Sequence, residues 1–182
     1  MNGVRARTAV AVLVSSMLVA ACGPTSPAVV EAEADPDDVY GGFAVDPPAP
    51  DEVVLTLVGA NEVNLTMADL EARATTEVRF VEPFVQVEQS FAVVPLAELL
   101  ALAGIGAGDT VDTIALNDYR YRDSVAALLA ADALLAVGRD GEPIPMHAGG
   151  PIRLVFAEDS AYSGFLDAWN WSLRTIAVVR AD

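Results

Sequence analysis

Cys22 is the one cysteine among 182 residues, and it closes an apolar run from Thr8 to Ala21. Everything after it must fold and work without a thiol, so no disulfide can staple the chain. Neither a thiolate zinc site nor an iron–sulfur cluster can be assembled from one cysteine. His147 is the single histidine, which rules out a multi-histidine metal triad. All ten bases are arginine. Without lysine there is no ε-amine for a Schiff base or for a lysine-dependent phosphate loop. Twenty-six acids leave a net charge of −16 and a pI near 4.1. Such a chain is unsuited to nucleic acid, whose binding draws on Lys and Arg that displace counterions.

The first 22 residues have the layout of an export signal: Arg5 and Arg7, the apolar run, then small residues. The run is short of the roughly 20 residues that a helix needs to cross a bilayer. Val19-Ala20-Ala21-Cys22-Gly23 resembles the bacterial lipobox, which implies lipidation of Cys22 and a membrane as partner. The expected location is the outer face of a bacterial membrane or envelope, reached by export. Residues 23–52 then hold eight acids, six prolines and no base. They offer too little apolar surface to offset ordering entropy, and are expected to form a disordered acidic tether. Asp35-Pro36-Asp37-Asp38 lacks the spacing and the glycine of a calcium loop.

Residues 53–182 suffice for a single core. Val53–Val58 and Glu62–Leu65 read as strands around a Gly59-Ala60-Asn61 turn. Thr66 and Asp69 have capping-box spacing, with Leu65 and Leu70 as a hydrophobic staple. Residues 77–87 are rich in β-formers, with Pro83 at an edge or bend. Pro95 to Ala103 predicts a helix that begins with Pro95 at its first position and stops at Gly104. Strands are expected over 110–116, 134–137, 152–156 and 173–179, with a short helix after Asp123. The expected fold class is α+β, a strand-dominated single domain with a few short helices.

Four runs stand in a telling order: Leu116-Asn117-Asp118-Tyr119, Arg139-Asp140-Gly141-Glu142, Gly149-Gly150-Pro151-Ile152-Arg153-Leu154-Val155 and Trp169-Asn170-Trp171. With the upstream Val93-Val94-Pro95-Leu96 and Leu99-Leu100, the series resembles the oxidoreductase molybdopterin-binding domain of the sulfite oxidase type. The resemblance implies a molybdenum cofactor held through its pterin and phosphate, with a protein cysteine ligating the metal. At the corresponding stretch this chain reads Arg79-Phe80-Val81-Glu82-Pro83-Phe84, with Phe80 nearest to the cysteine's place. A phenyl ring is no donor to molybdenum. Exported members of the family travel folded, after loading, by the twin-arginine route, and Arg5-Ala6-Arg7 is not twin arginine. The expectation is a member that keeps the fold and carries no metal, acting as a binding or interaction module for a small anionic ligand or an envelope protein. Molybdopterin itself stays possible by the resemblance. The competing readings are an oxidoreductase whose metal is held by something other than sulfur, and a scaffold domain held near a membrane partner by its acidic arm.

For the cofactor or anion pocket, the candidates are Arg153, His147, Arg120 and Arg122. His147 precedes Gly149-Gly150-Pro151 and either binds a phosphate or caps the turn. Arg153 either reaches an anion in a cleft or lies on the solvent face of an edge strand. Arg120 and Arg122 share one face of a strand, to grip a carboxylate or phosphate together or to pair with surface acids. Trp169 and Trp171 belong to core or groove. No catalytic residue stands out. Ser163 lacks the nucleophile-elbow setting, and Glu158 and Asp159 point to opposite faces of a strand.

Overall fold

The computed structural model of the chain describes residues 46–180. The signal-like run, Cys22 and most of the acidic segment lie outside the described residues. Nine strands and three short helices follow in the order β1 (Val53–Val58), β2 (Glu62–Thr66), α1 (Met67–Glu71), β3 (Thr76–Glu82), β4 (Val87–Pro95), α2 (Leu96–Leu102), β5 (Thr110–Ala115), β6 (Arg120–Ser124), α3 (Val125–Ala130), β7 (Leu134–Arg139), β8 (Arg153–Val155) and β9 (Leu173–Val178). They form a five-stranded sheet, β2-β1-β9-β5-β6, and a four-stranded sheet, β3-β4-β7-β8. All ladders are antiparallel except β1 with β9. This is the α+β, strand-dominated architecture expected from the sequence. No helix among the described residues is long and apolar enough to cross a membrane.

Local chemistry explains several boundaries. The Thr66 hydroxyl accepts from the Asp69 N–H at 3.1 Å, while the Asp69 carboxylate accepts from the Thr66 N–H at 3.0 Å, the reciprocal cap that starts α1. Two further amides at the head of α1, those of Met67 and Ala68, donate to Glu52 O and Pro50 O at 3.0 and 2.9 Å. The last residues of the acidic segment are thus stitched to the domain. Pro83 lies in the turn between β3 and β4, the bend expected within the β-rich run 77–87. Helix α2 begins at Leu96, one residue later than predicted. Pro95 closes β4 opposite Leu134, and the Leu96 N–H donates across to Ala133 O at 3.0 Å. Gly104, with φ of 67°, stops the helix as its position suggested.

The core draws on Leu55 and Leu57 of β1, Phe91, Val93 and Val94 of β4, and Leu96, Leu99 and Leu100 of α2. Strand β8 departs from the predicted alternation. Ile152, Arg153, Leu154, Val155 and Phe156 are all buried. The strand is an edge by pairing, but its outer side is covered: the Leu154 N–H donates to Asn170 O and the Leu173 N–H to Ile152 O. Covering an edge in this way removes the solvent face on which an exposed arginine would lie.

Candidate functional site

Arg153 opens β8 and Glu82 closes β3, so the two residues stand on opposite edges of the four-stranded sheet. They meet across it: Arg153 Nη2 donates to Glu82 Oε1 at 2.7 Å, with the two side chains 2% and 1% exposed. A second guanidinium N–H donates to Ala148 O at 3.0 Å. The other carboxylate oxygen of Glu82 accepts from the Phe84 and Val85 amides at 2.7 and 2.9 Å. The buried carboxylate therefore both neutralises the arginine and fixes the turn that follows β3. Four rings close around the guanidinium carbon: Trp171 at 4.4 Å, Phe84 at 5.7 Å, Trp169 at 5.9 Å and Phe91 at 6.0 Å. Their faces favour a cation that has left water.

Phe80 joins the same cluster. Its ring stacks on Phe91 at 5.1 Å and meets the edge of Trp169 at 5.7 Å. The position nearest to the family's metal-ligating cysteine is thus a packed aromatic. Period-2 alternation in β3 turns Phe80 and Glu82 to the same inward face. Glu82 was passed over in the sequence, and its signal was there: a carboxylate two residues after an inward aromatic.

His147 sits on a short 3-10 turn, Met146–Ala148, whose left-handed end is Gly149. It comes next to Arg153, and both line a cavity of about 10 Å³ with Glu82 and Gln89. That is room for about one water molecule and nothing larger. His147 Nε2 is buried and finds no hydrogen-bond partner among the described residues. Two wider clefts flank Trp171. One, of about 350 Å³, is lined by His147, Met146, Leu116, Asn117 and Ser172. The other, of about 280 Å³, is lined by aromatics including Phe84, Tyr119 and Trp169, together with Asn117, Asp167 and Asn170. No arginine lines either cleft.

Arg120 and Arg122 are not brought to this place. They lie on β6, the edge of the other sheet, and both turn to Asp112 of β5. Arg122 grips it through Nε at 2.7 Å and Nη2 at 3.0 Å, and Arg120 approaches to 3.8 Å. Of the two readings open for this pair, the geometry is that of pairing with an acid of the chain. The hydrogen bond from Arg122 holds the Asp112 carboxyl below its ordinary range. A carboxyl depressed in the folded state adds stability above its unfolded pKa and loses it as pH falls. Arg122→Gln is expected to raise the Asp112 pKa toward the ordinary 3.8, read by carboxyl NMR titration. It should also weaken the loss of stability on acidification below about pH 4.

Beyond the clefts, Asp123 ties β6 to the loop that follows β8. Its Oδ2 accepts from the hydroxyls of Tyr121 and Tyr162 at 2.7 and 2.6 Å. The bond to Asp123 and burial both push the Tyr162 phenol up, so it stays a donor.

Among the described residues, no three His, Cys, Asp or Glu side chains are grouped to hold a metal ion. Residues 44–165 match the family model described as the oxidoreductase molybdopterin binding domain. No curated protein matches the chain.

Proposed function

Because the chain belongs to the oxidoreductase molybdopterin-binding domain family, we propose that it is a metal-free member, exported and lipid-anchored through Cys22, that serves as a binding module rather than as an oxidoreductase. The observation that carries this reading is the Arg153–Glu82 pair. A buried arginine, the charge that would neutralise an anionic cofactor, is met by a carboxylate of its own chain. The space beside it, about 10 Å³, has room for about one water molecule. The donor set does not fit a thiolate-ligated metal either. Phe80 stands in the aromatic stack, and the sole thiol of the sequence is Cys22, in the lipobox-like segment. Beside Arg153, the surface left for a ligand is the pair of clefts on either side of Trp171.

The test is to produce the full chain, signal included, in bacteria that make molybdenum cofactor. Molybdenum is then measured by mass spectrometry, and oxidised pterin by fluorescence. The expected result is neither metal nor pterin in amounts approaching the protein. Stoichiometric molybdenum with pterin would overturn the reading. Labelled palmitate should enter the wild-type chain and not Cys22→Ser; equal labelling, or none in either, would remove the anchor.

A further inference from the structure

A larger cavity, about 840 Å³, opens along the outer face of β1 and β9, and neither Arg153 nor Glu82 lines it. Its size falls in the ~300–1,000 Å³ range of small-molecule sites. The floor is Val54, Thr56, Leu173 and Thr175, where the two strands run parallel with Thr56 opposite Thr175. One wall is the loop after β7 and the other is the segment that enters β1. Five prolines, Pro47, Pro48, Pro143, Pro145 and Pro151, line these walls. Fixed φ at each makes the walls stiff and lowers the ordering cost of filling the groove. Val53 and Leu116, half exposed, leave apolar surface at its mouth.

Charge selects among apolar occupants. The lining holds three carboxylates, Asp46, Glu52 and Glu142, and one base, Arg174. The Arg174 guanidinium is ion-paired with Asp118, which lies outside the lining. The groove is thus left with an excess of negative charge, in a chain whose net charge is already −16. A low-dielectric cleft rimmed by one sign of charge concentrates ligands of the other sign.

We infer that this groove binds a small organic cation: an apolar, ring-sized body carrying a protonated amine, the body against Val54, Leu173 and Ile144 and the amine toward Glu52 and Glu142. The groove shares Leu116 and Met146 with the cleft beside His147 but not Trp171, and the inference stands whether or not the domain is metal-free.

The test uses three probes with one apolar body: 1-naphthylmethylamine, 1-naphthalenemethanol and 1-naphthylacetate. Binding to the full chain is followed by calorimetry and by amide shifts in NMR. The amine is expected to bind roughly tenfold or more tightly than the carboxylate, with shifts centred on residues 53–56, 142–146 and 173–175. Glu52→Gln with Glu142→Gln changes two exposed side chains and leaves packing alone. It should abolish the preference while the alcohol still binds. Thr175→Trp, which fills the floor, should abolish binding of all three. Equal affinity for amine and carboxylate, no binding of the amine, or shifts centred on Trp171 would each overturn the inference.

Discussion

Glu82→Ala is expected to cost the domain about 3–5 kcal/mol, the penalty typical of removing one member of a buried ion pair. The loss has two sources. Arg153, 2% exposed, would keep its charge among four aromatic rings with no counter-charge at 2.7 Å. The amides of Phe84 and Val85 would lose their acceptor, loosening the turn that holds Phe84 against Trp171. Against a total stability of about 5–15 kcal/mol, such a loss is readily measured by urea denaturation. Glu82→Leu combined with Arg153→Met should recover much of it, since apolar groups of similar volume often replace a buried pair at little cost. Additive losses, or a Glu82→Ala effect below about 1 kcal/mol, the range of exposed pairs, would show that the two charges do not meet away from water.

Gly150→Ala is the second. A Cβ at this position would overlap the carbonyl of Ile144 and lie 2.9 Å from Pro145 O, both backbone atoms. Backbone cannot swing aside as the tip of a long side chain can. The Gly150 N–H also donates to Pro145 O at 2.9 Å, so the same close approach makes a bond and forbids a methyl. The expected cost is about 3 kcal/mol or more, at the upper end of overpacking effects. The 3-10 turn bearing His147 should shift with it, seen as displaced His147 ring signals in NMR. Gly108→Ala, where a Cβ meets nothing within 4 Å, is the control and should leave stability within about 0.5 kcal/mol of wild type. Equal behaviour of the two variants would refute the close approach.

Much of the scaffold was readable from the sequence. The cap at Thr66, the stop at Gly104 and the bend at Pro83 depend on contacts a few residues apart, and each occurs where expected, although Pro95 ends a strand instead of starting a helix. Strand β4 was missed because residues 87–95 mix polar and apolar positions without clean alternation; Gln89 and Ser90 are buried beside Phe91. Three consecutive buried residues arise where a strand is covered on both faces, which periodicity does not register. The candidate site was readable in its parts. His147 and Arg153 line one small cavity. Arg120 and Arg122 lie on another sheet, held by Asp112.

Counting alone determined what this chain cannot assemble: a globule with no thiol after Cys22 and no lysine anywhere has fixed limits on its metal and covalent chemistry. Short-range spacing determined where several elements begin and end. Only the tertiary structure decided the fate of Arg153. Its partner lies 71 residues away, on the far edge of the same sheet. Local pattern says that a residue faces inward. It does not say which distant carboxylate will face it, because that depends on how four strands are ordered and how the rings between them pack.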